Sequence, residues 1–430
     1  MQSDSSVPAT GSSKRAGIDA AALRIASIGG FFATKSALGA AIVLVSARVL
    51  TVAEFASYSQ LFLLTGYLAL LGSAGLVNGI IQRTAAIRGD QADERALIEA
   101  ALRIWLVVAM AMCIATTVFA DPISRFLVND ARFSSTLPYL GAVVALSGLG
   151  QIFTALLTGR GRLGLSLALQ AIGMVTGGTL SLILLVADQP TASVIAFAAG
   201  PLATTALSTW NCRNLFDTKA AQSRKQEHRA LMGHASAFAT VAAVPPLVLF
   251  AIRSVYQDRF GLEMLGYWLA ANRISDISTQ MFGLYLSQIF MPHMSSLRSQ
   301  TEVRRYAIAT ASAGASLFLA PLGIFLLAPP MLVGIFLGSS FGPAVIFIIG
   351  YMVGDIFRAV TSVTMMSALS SGQPRRYAVV ELAASAIFAS TAVLLIHSGV
   401  TGAPWQAYIA SHVAITLAAG AYLLNRNSLR

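Results

Sequence analysis

Apolar residues in this chain come in near-continuous stretches of twenty or more, separated by short polar breaks, rather than in the narrow stripes of a soluble amphipathic helix. About 20 consecutive apolar residues are what a helix needs to cross the hydrocarbon core of a bilayer. The pattern predicts twelve such spans, at about 24–46, 55–80, 97–120, 137–158, 163–186, 191–210, 234–255, 264–290, 306–328, 342–368, 377–398 and 404–424. The breaks carry turn residues, as in TGRGRLG (158–164), ADQPT (187–191), SSGQPRR (370–376) and TGAP (401–404). The expected fold class is therefore an all-α integral membrane protein. Its expected organisation is a cytoplasmic disordered tail (1–23), an N-terminal six-helix lobe (24–210), a cytoplasmic inter-lobe loop (211–233), a C-terminal six-helix lobe (234–425) and a short tail (426–430).

Composition agrees with the pattern. Of 430 residues, 56% are hydrophobic and only 11% charged, against about 25% charged in soluble domains, which excludes an ordinary water-soluble enzyme. The net charge of +11 raises nucleic acid or anionic lipid as partners, and its distribution decides. Twenty of the 29 Lys and Arg fall in the tails and the loops on the side of the termini, and four in the opposite loops. Retention of basic loops in the cytoplasm then predicts that both termini are cytoplasmic. Basic residues so dispersed form no contiguous nucleic-acid patch. Cys113 and Cys212 lie in unrelated contexts and are expected to be free thiols.

The two sets of six spans resemble each other. ARVLTVAEFASYSQLFLL (47–64) has a counterpart in IRSVYQDRFGLEMLGYWLAANRI (252–274), and LTGRGRLGLSLALQ (157–170) in LSSGQPRRYAVVELA (369–383). Each paired segment crosses in the same direction, which predicts a parallel repeat with a pseudo-twofold axis.

Charged side chains inside spans cost about 2.5–3.5 kcal/mol each on insertion scales, so they are expected to face a cavity or one another. Lys35, Arg253, Arg273 and Arg358 are the candidate substrate-binding cations, and Asp276, Asp355 and Glu381 the candidate ion-coupling carboxylates. Arg273 with Asp276, and Asp355 with Arg358, stand three residues apart, the spacing of an ion pair on one helix. Lys35 has no acid within reach on its own span. An excess of cations over carboxylates predicts a central cationic cavity that attracts an anionic headgroup, a phosphate or pyrophosphate. Pro245-Pro246 and Gly200-Pro201 interrupt their spans and are candidate hinges. No Walker A, GxSxG or HExxH sequence occurs, so no enzyme activity, cofactor or metal is implied, and the outer loops are too short for a large acceptor site.

The run LVSARVLTVAEFASYSQLFLLTGYLALLGSAGLVNGIIQR (44–83) resembles the opening of Wzx-type polysaccharide repeat-unit flippases, within the multidrug/oligosaccharidyl-lipid/polysaccharide exporter (MOP) superfamily. Ala47, Arg48, Leu50, Glu54, Phe55, Tyr58, Gly75 and Leu76 carry the likeness, as does GYWLAANRISD (266–276), while Ala56 replaces the usual glycine. The resemblance implies a flippase of the bacterial inner membrane that moves undecaprenyl-pyrophosphate-linked oligosaccharide to the periplasmic leaflet by alternating access between two lobes. Its implied partners are that lipid-linked substrate and membrane lipids, with the polymerase and chain-length proteins of the same pathway as further candidates. Two other readings stay open: a multidrug or other small-molecule exporter of the same superfamily, and a membrane polysaccharide polymerase or glycosyltransferase.

Overall fold

The computed structural model describes residues 11–73, 75–87, 90–128, 131–217, 224–297, 299–371 and 373–424. The helices are α1 (Gly11–Val49), α2 (Val52–Gly72), α3 (Leu76–Ile87), α4 (Gln91–Val118), α5 (Ala120–Ile123), α6 (Leu137–Gly159), α7 (Leu163–Val186) and α8 (Pro190–Asn211). They continue with α9 (Arg224–Phe260), α10 (Leu262–Tyr285), α11 (Met291–Ser296), α12 (Gln300–Leu327), α13 (Pro329–Phe336), α14 (Val345–Ser370), α15 (Pro374–His397) and α16 (Ala403–Leu424). No strand occurs among the described residues. A helix pairs every backbone N–H and C=O within itself, which a bilayer requires because it offers no water to replace those bonds.

Among the described residues twelve helices run 21 residues or longer, and nine stretches are long and apolar enough to cross a membrane. The protein is thus a multi-pass membrane protein. α9, α10 and α16 stand outside the nine; in α10 the polar run from Asn272 to Gln280 breaks the apolar character. The outward faces fit lipid. On α4, Val107, Met110, Ile114 and Val118 recur at helical spacing and are all exposed, an apolar face that water would not tolerate.

Three expected boundaries move. Residues 11–23, expected as tail, belong to α1, and residues 1–10 lie outside the described residues. The Ala-rich stretch DAAALR carries the helix backwards, since Ala and Leu are strong helix formers. In the expected 211–233 loop, Arg213–Asp217 forms a 3-10 turn and α9 already starts at Arg224, with 218–223 outside the described residues. The expected span 55–80 is broken between α2 and α3, where Gly75 takes a φ of +66° that favours glycine.

α1, α2, α4, α6, α7 and α8 pack mainly on one another, as do α12, α14, α15 and α16, while α9 and α10 pack on both groups. The two groups meet where α2 and α1 lie on α10 and where α9 lies on α4, α3 and α2. The contact is close because Gly266 of α10 sits against Val52 of α2, with 2.5 Å from its would-be Cβ to the Val52 carbonyl oxygen. Most of the residues that carried the resemblance are packing residues here. Thr51 and Glu54 form a reciprocal capping box that starts α2. Phe55, almost fully buried, meets Phe341 edge to face at 5.2 Å. Arg48 donates to the Ile335 carbonyl of α13. Away from this contact, Glu227 of α9 pairs with Arg83 of α3, and Leu231 is fully buried in the cluster of Leu76, Leu97 and Ile98. α9 is therefore anchored in the first group at one end and in the second at the other.

Within the first group α7 and α8 touch backbone to backbone at Gly173, Gly177 and Gly200, the small-residue contact by which membrane helices associate. A Cβ on Gly200 would stand 2.4 Å from the Gly173 oxygen and 2.6 Å from the Gly177 Cα. Gly200→Val should therefore lower thermal stability in detergent by about 1–3 kcal/mol, the usual cost of overpacking. Gly323→Ala, where open space awaits the methyl group, should leave the melting temperature unchanged or raise it.

Candidate functional site

Four of the charged residues singled out in the sequence, Arg273, Asp276, Asp355 and Arg358, lie on α10 and α14. Asp276 Oδ1 of α10 lies 3.9 Å from Arg358 Nη1 of α14, each side chain about one third exposed. Asp355, one turn before Arg358, is almost fully buried. Its Oδ1 accepts from Ser275 Oγ at 2.7 Å and from the Tyr408 hydroxyl of α16 at 2.7 Å. The same Tyr408 oxygen accepts from Arg358 Nη1 at 3.2 Å. One tyrosine hydroxyl thus bridges the acid and the base of α14.

Among the described residues the expected pairs on single helices do not form; the partners come from neighbouring helices. Glycines explain how α16 gets close enough. A Cβ on Gly354 would stand 2.3 Å from the Tyr408 ring, and one on Gly350 2.6 Å from the Trp405 ring. The Gly350-x-x-x-Gly354 spacing is a small-residue contact motif, legible in the sequence but not used above to place α16. It seats Tyr408 over Asp355, stacked on Tyr351 at 4.6 Å. Tyr351 in turn accepts from Trp268 Nε1 at 2.6 Å. Tyr408 and Ser275 are the residues that the charge pattern alone missed.

Two cavities flank this network. The bundle cavity, of about 440 Å³, is enclosed by α9, α10, α14, α15 and α16, with Asp276, Arg358, Glu381, Tyr377, Tyr408 and His412 on its wall. The junction cavity, of about 180 Å³, lies between α1, α2, α7, α8 and α10, with Lys35, Arg273, Asp276, Tyr58, Ser59 and Gln280 on its wall. Arg273 donates to the Ser59 carbonyl at 3.3 Å and stands 5.0 Å over the Phe62 ring. Lys35 has no hydrogen-bond or ion-pair partner among the described residues. In the junction cavity two cations face one carboxylate, whereas in the bundle cavity two carboxylates face one arginine. The expected single cationic cavity is resolved into two of opposite balance.

The remaining candidates fall elsewhere. Arg253 is 1% exposed, donates to Asn272 Oδ1 at 2.6 Å and stands 5.6 Å over Trp268; it lines neither cavity and orients Asn272, which lines one. Pro245 borders the bundle cavity, and helix α9 runs through Pro245-Pro246 without interruption. Gly200 and Pro201 lie in the tight α7–α8 contact rather than at either cavity. Cys113 and Cys212 are free.

The class of this fold follows from its likenesses to solved structures. The chain is similar to an inward-facing multidrug resistance MATE family transporter of the MOP superfamily, with a TM-score of 0.73 at 14% identity over 90% of this chain and 94% of that one. It is similar to the lipid II flippase MurJ in an inward closed conformation, with a TM-score of 0.69 at 12% identity over 92% and 91%. A third likeness, to a MOP superfamily transporter from Pyrococcus furiosus for which a reversed polarity of the binding pocket suggests a different function, has a TM-score of 0.57 at 13% identity over 92% and 93%. These neighbours are transporters and flippases, not enzymes. The model of a family described as polysaccharide biosynthesis protein matches residues 45–346, and the chain belongs to that family. No curated protein matches it by sequence.

Tyr408→Phe removes the hydroxyl shared by Asp355 and Arg358 and leaves the buried Asp355 carboxylate and the partly exposed Arg358 each short of a partner. Unfolding in detergent should show a loss of about 1.5–3 kcal/mol, the range for hydrogen bonds to charged groups. Loss from Ser275→Ala should be less than additive with it in a double-mutant cycle, because both hydroxyls serve one oxygen.

Proposed function

We propose that the protein is a flippase that carries a lipid-linked oligosaccharide with an undecaprenyl pyrophosphate head from the cytoplasmic to the periplasmic leaflet of a bacterial inner membrane. The observation that carries the proposal is the junction cavity, in which Lys35, without a partner among the described residues, and Arg273 face a single carboxylate. A pyrophosphate supplies the charge that this pair lacks, and Lys and Arg meet it as point charge and planar fork. Family membership supports polysaccharide biosynthesis as the setting, and the likeness to a lipid II flippase supports a fold able to pass a lipid-linked head.

In this proposal the chain crosses twelve times, both termini are cytoplasmic, and two six-helix lobes, 24–210 and 234–425, are related by a parallel pseudo-twofold. The reciprocal contacts of α1 with α10 and of α9 with α2 support that symmetry. The junction cavity lies where the lobes meet, and at about 180 Å³ it is smaller than the ligand pockets of about 300–1,000 Å³ usual in proteins. It accommodates the head alone, so passage of the sugars requires the lobes to separate while the polyprenyl tail stays in lipid. Pro245-Pro246, between the two anchored ends of α9, and Gly200-Pro201 in α8 are the proposed points of bending. Asp276, Asp355 and Glu381 are the proposed carboxylates for ion coupling, and the polymerase and chain-length proteins of the same pathway the proposed partners.

A second reading draws on the bundle cavity. Its excess of carboxylate, with Tyr351, Tyr377, Phe388 and Tyr408 on the wall, suits an organic cation, as in a multidrug exporter.

The two separate on Lys35. Lys35→Ala, expressed in place of the native gene, should reduce surface polysaccharide about tenfold or more, the worth of one charge-assisted contact at about 1.5–3 kcal/mol. Undecaprenyl-linked units should accumulate inside while the protein remains inserted at normal level. Unchanged surface polysaccharide, with altered resistance to an organic cation, would favour the second reading.

A further inference from the structure

The wall of the bundle cavity carries hydrogen-bonding groups that the charge network leaves unused. Asn272 of α10 gives its Oδ1 to the buried Arg253, which lines neither cavity. An arginine can only donate, so that bond fixes which end of the amide it takes. What Asn272 offers the cavity is the pair of N–H groups on Nδ2, which have no partner among the described residues. On α15 the Glu381 carboxylate lines the same cavity, and it has no hydrogen-bond or ion-pair partner among the described residues. Tyr377, Glu381, Ser385 and Phe388 recur one turn apart on one face of α15, so that two rings bracket the carboxylate, and all four line the cavity. Donors without an acceptor and an acceptor without a donor therefore share one space, where protein groups of this kind are normally paired.

We propose that the bundle cavity is a carbohydrate site, holding the sugar nearest the pyrophosphate of the lipid-linked substrate. Asn272 and Arg358 donate to its oxygens, Glu381 and Asp276 accept from its hydroxyl groups, and the rings of Tyr377 and Phe388 lie against its C–H faces. The proposal deepens the flippase reading and rests on it for the attachment of the sugar to an anionic head.

The argument is one of matching chemistry. A hydroxyl group both donates and accepts hydrogen bonds, so a polyol satisfies the donors and the acceptors of this wall at once, and its C–H bonds suit the electron-rich faces of aromatic rings. An organic cation would meet the carboxylates and the rings but would set positive charge against Arg358 and the Asn272 N–H groups. A free anion would meet those donors and be repelled by Asp276 and Glu381. The cavity volume of about 440 Å³ lies within the span of about 300–1,000 Å³ usual for ligand pockets. Asp276 lines the junction cavity as well, so a pyrophosphate seated there and the sugar bonded to it lie side by side. The acceptor role of Glu381 asks nothing of its titration.

The experiment is saturation-transfer NMR on the full-length protein in a detergent that carries no sugar, with the methyl glycosides of glucose, galactose and N-acetylglucosamine as probes. In the wild type, saturation should reach the ring protons of at least one glycoside. Asn272→Asp keeps an acceptor for Arg253 and replaces the N–H donors of the cavity by a second acceptor; it should weaken that glycoside about tenfold, the worth of one hydrogen bond. Phe388→Leu removes a ring at little loss of apolar bulk, should weaken it several-fold, and serves the same comparison if the aspartate variant does not fold. Saturation of none of the glycosides by the wild type, or an affinity unaltered in both variants, overturns the carbohydrate site. So does tetraphenylphosphonium bound in place of every glycoside and bound more tightly by Asn272→Asp, which would favour the organic cation. A parallel titration of the wild type with inorganic pyrophosphate keeps the two readings apart. Pyrophosphate bound without any glycoside overturns the carbohydrate site alone, whereas a glycoside bound without pyrophosphate supports the carbohydrate site and overturns the junction cavity as the seat of the head.

Discussion

A carboxylate or a guanidinium inside a bilayer costs several kcal/mol unless another group of the protein meets it, and that cost organises the second half of this chain. Asp355 is buried under Ser275 and Tyr408, Arg358 reaches Tyr408 and Asp276, and these contacts tie α10, α14 and α16 together. Gly350 and Gly354 make the arrangement possible by letting Trp405 and Tyr408 lie against the α14 backbone. Removing one partner from such a buried network costs more than the pair gains by forming, since the charge left behind has no water to turn to.

Lys35 is the exception to this satisfied network. It stands in a small cavity whose other cation, Arg273, meets a backbone carbonyl and an aromatic face. A bonded network on one side and a pair of cations with one carboxylate on the other give the protein two cavities of opposite polarity that share Asp276.

Much of the fold was legible in the apolar runs alone. The limits of α7, Leu163–Val186, match the expected span residue for residue, α6 differs from its span by one residue at one end and α8 by one at each end, because Gly or Pro marks most of these ends. The break after α2 was not legible: a bilayer-length apolar run does not show where the backbone turns within it. The start of α9 was hidden by its charges, since RKQEHRALMG reads as a polar loop, although each residue up to Met232 is an adequate helix former. Among the site residues, charge singled out Lys35, Arg273, Asp276 and Arg358, but an i, i+3 spacing fixes only which residues share a face, not which partner the side chain takes. Tyr408 decided that, and its position could be reached only through the glycine spacing of α14. The matched family motif around Glu54 and Phe55 proved to be a helix cap and a packing contact, which explains why it identified the fold more readily than the substrate.

The central claim is that the junction cavity receives the pyrophosphate of a lipid-linked substrate. Its most direct test is transport by the purified protein in vesicles containing a fluorescent polyprenyl-pyrophosphate oligosaccharide, followed by the share of label accessible to an outside quencher. The account predicts protein-dependent transbilayer movement that inorganic pyrophosphate inhibits and an organic cation does not. Vesicles in which the lipid stays in its leaflet while an organic cation is moved would contradict it.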